Sequence, residues 1–183
     1  MRLREEMKEI SWLGRGGQGA FTASRLLGVM GMLSGSYALA FPSFGPERRG
    51  APIRAYTKLS EKPIVDRSVI TQNDYIMILD DSLYQESVLK ELKPNGRILI
   101  NTADRSLYHR DSIVAANVTV MAEKILGRPI VNTAMLGVLL AVDDSYSIHD
   151  ITQAIEQYMP SRIAPKNIEL VKHVYESVKS EQM

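Results

Sequence analysis

The sequence contains no cysteine among its 183 residues. Without thiolates the chain cannot form disulfides, thiolate zinc sites or ordinary iron–sulfur ligation, and it has no cysteine nucleophile. Its three histidines, His109, His149 and His173, are far apart and lack the spacing of metal ligands. We therefore expect neither a metal site nor catalytic residues in this chain.

Strong net charge and long apolar runs are also missing. The formal net charge is +1, so no global field favours nucleic acid or an anionic membrane. No stretch approaches the roughly 18 apolar residues of a membrane span. The opening residues MRLREEMKEI have no apolar signal-peptide core. We expect a cytoplasmic protein with one domain over residues 1–183 and with no nucleic-acid or membrane partner.

Hydrophobic patterning predicts an α/β fold, namely a single doubly wound, mostly parallel sheet flanked by helices. The opening strand, glycine turn, helix and second strand form one Rossmann-like βαβ unit. Strands are expected at residues 9–13, 36–41, 53–59, 75–79, 97–100 and 118–121, with a turn at 94–96. Helices are expected at 20–33, 82–93, 132–142, 147–158 and 165–177.

The glycine turn GRGGQG, residues 14–19, fits G-x-G-x-x-G between a strand and a helix. Such glycines allow a tight turn and a close approach of ligand to backbone, and free amides at the helix start attract anions. A turn with no ligand is the alternative. The candidate binding residues here are Gly14, Arg15, Gly16, Gly17, Gln18 and Gly19.

The segment after the second predicted strand argues against NAD as the ligand. A Rossmann site places an acid about 20 residues after the glycines to hold the ribose hydroxyls. Residues 33–41, LSGSYALAF, contain no acid, and Glu47 belongs to a later loop. A stand-alone nucleotide-binding protein or NAD-dependent oxidoreductase of Rossmann type is therefore the second choice.

A loop at residues 43–55, SFGPERRGAPIRA, concentrates Arg48, Arg49 and Arg54. It follows the second strand of the βαβ unit, so we expect it at the same sheet edge as the glycine turn. Arg48 and Arg49 could hold phosphates of a ligand through planar bidentate contacts. They could instead pair with a partner subunit, or pair with Glu47 on a solvated loop.

Two further positions are candidates with competing interpretations. Asn132 and Thr133 begin an apolar helix, where they could cap it or point into the ligand crevice. Asp80 and Asp81 lie between a strand and a helix. They could bind a metal or act as acid and base, but acids at a helix start more often complement the helix dipole.

The glycine turn and the segment FPSFGPERRGAPIRA together resemble the gamma subunit of pyruvate:ferredoxin oxidoreductase and related 2-oxoacid:acceptor oxidoreductases. The resemblance extends to YIMILDDSL at residues 75–83 and NTAMLG at 132–137. Arg15, and the RGAP sequence that ends at Pro52, look like the pyruvate branch of that family.

The resemblance implies a subunit of a complex that oxidatively decarboxylates a 2-oxoacid to acyl-CoA and reduces ferredoxin. Alpha, beta and delta-type (ferredoxin-like) subunits would hold thiamine diphosphate, magnesium and iron–sulfur clusters. This chain would supply a scaffold and an anion site on the coenzyme A side, using Arg48, Arg49 and Asn132 with the glycine turn. Isolated from its partners, it is expected to have no catalytic centre and to self-associate.

Overall fold

The computed structural model describes residues 7–43 and 50–182. In these ranges a mixed sheet of six strands is flanked by helices. The strands are β1 Lys8–Arg15, β2 Tyr37–Pro42, β3 Pro52–Ser60, β4 Asn73–Ile78, β5 Leu92–Asn101 and β6 Ile113–Ala116. The α-helices are α1 Ala20–Leu33, α2 Val118–Leu126, α3 Asn132–Val142, α4 Ile148–Tyr158 and α5 Ala164–Gln182. Three short 3-10 segments lie at Asp81–Leu83, Glu86–Glu91 and Arg105–Leu107.

The strand order is β2-β3-β1-β4-β5-β6. Strands β1, β4, β5 and β6 run parallel to one another, whereas β3 is antiparallel to both β1 and β2. The predicted α/β sheet with flanking helices is confirmed. In the opening βαβ unit, β1 and β2 point the same way but are not neighbours, because β3 lies between them.

The two faces of the sheet are covered differently. Alternate strand residues such as Trp12, Met77 and Leu99 pack under the five described α-helices. The intervening residues, including Leu13, Ile78 and Ile98, pack with side chains of the 3-10 segments and the residues beside them. All of the described α-helices therefore lie on one face, in contrast to the helices on both faces expected for a doubly wound sheet.

Three local predictions were wrong. The helix expected at 82–93 is instead two 3-10 segments followed by the start of β5, because Leu83, Val88 and Leu92 pack on the second face of the sheet without a continuous α-helix. The turn expected at 94–96 lies inside β5. There Asn95 has a φ of 68° and the pairing with β4 is irregular, as in a bulge.

The strand expected at 118–121 is the first part of helix α2. Asn117 caps this helix by accepting a hydrogen bond from the Val120 amide at 3.5 Å. The preceding residues 113–116 form β6 instead. The β-branched composition of VTV favoured a strand, but the cap and the tertiary packing favour a helix.

Ion pairs gather at the edge of the sheet where β1, β4 and β5 begin. Lys58 of β3 has a fully buried side chain, and its ammonium lies 2.8 Å from Asp66 and 3.8 Å from Glu9. Lys93 contacts Asp74 at 2.8 Å and Glu9 at 3.1 Å. Lys8 pairs with Asp143 at the end of α3. We call this set of residues the amino-edge network.

No helix in the described ranges is both long enough and apolar enough to cross a membrane.

Candidate ligand site at the glycine turn

The glycine turn connects β1 to α1 through two left-handed residues. Gly17 has a φ of 96° and Gly19, the residue before the helix, has a φ of 81°. Side chains rarely adopt these angles, so both positions require glycine. Gln18 closes the turn through two hydrogen bonds to the backbone of Arg15. Its side-chain oxygen accepts from the Arg15 backbone N–H at 2.7 Å, and its backbone N–H donates to the Arg15 carbonyl at 2.9 Å.

Backbone amides at this turn are available to an anion. Neither the Gly17 amide nor the Gly19 amide forms a hydrogen bond with a described residue. Helix α1 has no acidic residue in its first turn and no side-chain cap. The positive end of the helix dipole is therefore uncompensated by the described residues and can attract a phosphate or a carboxylate.

The end of the arginine-rich loop lies against the glycine turn, as the sequence predicts. The Gly16 amide donates to the Ala51 carbonyl at 2.8 Å, and the Gly50 amide donates to the Gly16 carbonyl at 3.1 Å. Arg48 and Arg49 themselves lie outside the described residues. The loop is thus anchored at the proposed site by residues 50–51, which the sequence analysis did not single out.

Arg15 forms an ion pair with Asp80, a contact that was not predicted from the sequence. Its guanidinium contacts Asp80 at 3.1 Å, Ser82 at 2.7 Å and the Gly50 carbonyl at 3.1 Å. The Gln18 side chain also donates to Asp80, at 3.0 Å. Burial acts to raise the pKa of Asp80, but hydrogen bonds from Ser82 and Gln18, with the charge of Arg15, hold that pKa below its ordinary value.

Asp80 therefore stays ionised and fixes Arg15 beside the turn. It also accepts from the Ser82 amide and so caps the 3-10 segment Asp81–Leu83. A signal for the pair exists in the sequence, because Arg15 and Asp80 each follow closely on a buried strand. Since β1 and β4 are parallel neighbours, residues at their carboxyl ends meet.

Asn132 is brought to the glycine turn from a distant part of the chain. It begins α3, and only 6% of its surface is exposed. A Cβ atom placed on Gly19 would lie 2.5 Å from the Asn132 side-chain nitrogen, so the two residues are in direct contact. The helix cap position is Val131, so Asn132 does not cap α3 and instead lies against the glycine turn.

Arg54 lies beside the glycine turn, because it pairs with Leu13 of β1 and lines the same cavity as Ala51, which accepts from the Gly16 amide. Its guanidinium makes a bidentate pair with Glu91, with contacts of 2.6 and 3.1 Å. The hydrogen bond to Glu91 outweighs burial and raises the pKa of Arg54. Both residues line a cavity of about 630 Å³ on the 3-10 face, between the start of β3 and the segment Glu86–Glu91.

No group of three or more His, Asp or Glu side chains suited to a metal ion occurs in the part of the chain that the structure describes.

Comparison with known proteins gives a consistent family. The family model described as pyruvate ferredoxin/flavodoxin oxidoreductase matches residues 9–177. The pyruvate synthase subunit PorC of Methanothermobacter marburgensis is 40% identical over 94% of this chain and 98% of its own length. The pyruvate/ketoisovalerate oxidoreductases common subunit gamma of Pyrococcus furiosus is 35% identical over 93% of this chain and 96% of its own length.

A solved structure agrees with these relatives. The crystal structure of the pyruvate oxidoreductase subunit PORC of Thermotoga maritima superposes with a TM-score of 0.80 at 30% identity. The match covers 93% of this chain and 96% of that one. The chain therefore belongs to the pyruvate ferredoxin/flavodoxin oxidoreductase family, as a gamma-type subunit.

Proposed function

We propose that this chain is the gamma subunit of a pyruvate:ferredoxin oxidoreductase complex. In that complex we propose that it contributes to the binding of coenzyme A. The observation that carries the proposal is the meeting of three elements at one place. The open amides of Gly17 and Gly19, the loop end at Gly50 and the buried Asn132 all lie around the start of α1. Such a site suits an anion that approaches the backbone closely.

The names of the relatives support this division of labour. In Pyrococcus furiosus one gamma subunit is common to the pyruvate and ketoisovalerate oxidoreductases. A subunit shared by two such enzymes does not select the 2-oxoacid. It is better suited to a component that both reactions have in common, and coenzyme A is one.

The redox chemistry is assigned to the partners. Thiamine diphosphate with magnesium and the iron–sulfur clusters belong, in this proposal, to alpha, beta and delta-type subunits. The absence of cysteine from this chain fits that assignment, because ordinary iron–sulfur ligation uses thiolates. We place the complex in the cytoplasm, and we treat residues 1–183 as a single gamma-type domain.

Partner subunits would cover the apolar side chains that this chain leaves exposed. Met32 and Tyr37, around the end of α1 and the start of β2, are 55% and 50% exposed. Val65 is 87% exposed and Val69 is 55% exposed. Large exposed side chains of this kind are typical of a protein interface, and they predict that the isolated chain self-associates.

A photoreactive coenzyme A analogue tests the ligand role directly. The complete complex is illuminated with the analogue, with and without excess coenzyme A, and the labelled peptides are identified. We expect protectable labelling of this chain near residues 14–19, 50–51 or 132. Labelling confined to the other subunits would refute the coenzyme A role.

Charge reversal separates a ligand role of the loop arginines from an interface role. In the double variant R48E/R49E, a ligand role predicts a raised KM for coenzyme A in a complex that still assembles. Loss of assembly would instead make these arginines an interface. Lys172→Glu, at an exposed position on α5 outside the loop, is the matched control and should change neither quantity.

A further inference from the structure

A second cavity lies on the helical side of the glycine turn, about 520 Å³ in volume. It is bounded by the end of α2 and the following residues, the start of α3, and the connection from α4 to α5. Asn132 belongs both to this cavity and to the contact with Gly19, so the cavity and the glycine turn share a wall.

Among the described residues, three cations line this cavity and no carboxylate does. Arg128, Arg162 and Lys166 come from separate parts of the chain and converge there. None of them forms an ion pair with another described residue, whereas Arg15, Arg54 and Lys58 all do. Cations that line one cavity without a carboxylate create a positive potential there, which attracts an anion.

Asn132 gives an independent indication of a ligand. Its side-chain oxygen accepts from the Thr133 amide at 2.9 Å, but its side-chain NH₂ has no acceptor among described residues. The residue is 94% buried, since only 6% of its surface is exposed. Because no buried side-chain nitrogen or oxygen among the described residues lacks a partner, this unbonded NH₂ is accessible at the cavity wall and can donate to a bound group.

The start of helix α3 adds to the positive electrostatic potential in the cavity. The helix begins at Asn132, and its cap residue Val131 offers no side-chain hydrogen bond to the first turn. The cavity floor is held in place by Asn167, which accepts from the Thr133 hydroxyl at 2.7 Å and donates to the Ile163 carbonyl at 2.8 Å. Exposed Ile130 and Ile163 supply apolar surface beside the cations.

We propose that this cavity binds the 3′-phosphate of coenzyme A through Arg128, Arg162 and Lys166, with Asn132 as a neutral donor. The inference rests on the proposed coenzyme A function and adds the group that is recognised. Two guanidinium groups and an ammonium suit a phosphate monoester, which carries close to two charges and offers three acceptor oxygens. The apolar side chains beside them can contact a nucleobase.

The test compares coenzyme A with dephospho-coenzyme A, which lacks only the 3′-phosphate. KM for each is measured in pyruvate oxidation by the complete complex. We expect the unmodified complex to prefer coenzyme A by about tenfold or more, the scale of a charge-assisted hydrogen bond network. In the double variant R162Q/K166Q the KM for coenzyme A should rise about tenfold while that for dephospho-coenzyme A stays unchanged.

Lys172→Gln is the matched control, because Lys172 is an exposed cation on the same helix as Lys166 but does not line the cavity. It should leave both KM values unchanged. Equal use of the two cofactors by the unmodified complex would overturn the inference, as would a preference that survives in R162Q/K166Q. Failure of that variant to assemble, when Lys172→Gln assembles, would assign the cations to a partner subunit and would also overturn it.

The photolabelling experiment distinguishes failure of the proposed coenzyme A function from failure of the 3′-phosphate site alone. Labelling of this chain without any preference for the 3′-phosphate leaves the proposed function standing and rejects only the phosphate site. Absence of labelling from this chain removes both.

Discussion

The amino-edge network and the cavity beside Asn132 use the same residue types for opposite purposes. In the network, the cations Lys8, Lys58 and Lys93 each contact at least one carboxylate. In the cavity, none of the three cations pairs with an acid among described residues. Paired charges at the strand starts hold the fold together, whereas cations gathered without a partner provide attraction for a group from outside.

The largest effect should come from breaking the network at its buried member. Lys58→Ala removes a side chain with no exposed surface and leaves Asp66 without its cation, while Glu9 keeps its contact with Lys93. We expect the free energy of unfolding to fall by about 2–4 kcal/mol, measured by urea denaturation. Lys124→Ala, at an exposed position on α2, should change it by less than about 0.5 kcal/mol. Similar losses for the two variants would contradict the structural role given to Lys58.

A smaller loss in the free energy of unfolding is expected when alanine replaces Gly17 or Gly19. Both glycines are left-handed, but their neighbours differ. An added Cβ meets nothing within 4 Å at Gly17 but lies 2.5 Å from Asn132 at Gly19. Gly17→Ala should cost about 1 kcal/mol from backbone strain alone, and Gly19→Ala about 2 kcal/mol or more because Asn132 must also move. In an Asn132→Ala background only the Cβ atom at 3.3 Å remains, so the difference between the two costs should shrink. An undiminished difference there would mean that the Asn132 amide is not the obstacle.

Acid should weaken the network more than it weakens an exposed carboxylate. Burial acts to raise the pKa of Asp143, but hydrogen bonds from Lys8 and Ser145 hold that pKa below its ordinary value. A depressed folded-state pKa stabilises the protein above the unfolded pKa near 4, and this contribution is lost as pH falls through the folded value. The drop in Tm between pH 6 and pH 3 should be smaller in Asp143→Asn than in the unmodified protein. Asp111→Asn, at an exposed position, should leave that drop unchanged.

The smallest effect should come from the cavity. Arg162→Ala removes a cation that has no carboxylate partner in the described chain, so the free energy of unfolding without ligand should change by less than about 0.5 kcal/mol. The same substitution should weaken binding of coenzyme A by the complex. A loss of stability comparable with that of Lys58→Ala would place Arg162 among the structural charges.

Local signals in the sequence predicted part of this molecule well. The bounds of α1 and α3 coincide with the predicted ranges, because a glycine turn precedes one helix and both are continuously apolar on their buried sides. Helix α4 lies within the predicted range 147–158 and begins at a capping box of Ser147 and Asp150. These features depend on residues that are near one another along the chain.

Features that depend on distant residues were not predicted. The insertion of β3 between β1 and β2 depends on strand pairing, which a pattern of apolar residues does not encode. The wrong assignments at 82–93 and 118–121 arose where an apolar or β-branched run had two possible structures. Arg128, Arg162 and Lys166 are ordinary surface cations in the sequence, and only the packing of α2, α3 and α5 brings them together.

The burial of helix α3 lowers the entropy cost of binding a ligand at its first residue. The helix is buried along nearly its whole length, begins at Asn132 and is followed directly by Asp143, which Lys8 holds. Gly137 lets α5 approach so closely that an added Cβ would lie 2.7 Å from the Val171 carbonyl oxygen. Asn132 and the start of α5 are thus immobilised when the chain folds, and most of the entropy of ordering this wall is lost before any ligand arrives. An incoming phosphate would meet a preformed wall at Asn132, and only the exposed cations Arg128, Arg162 and Lys166 would have to be ordered on binding.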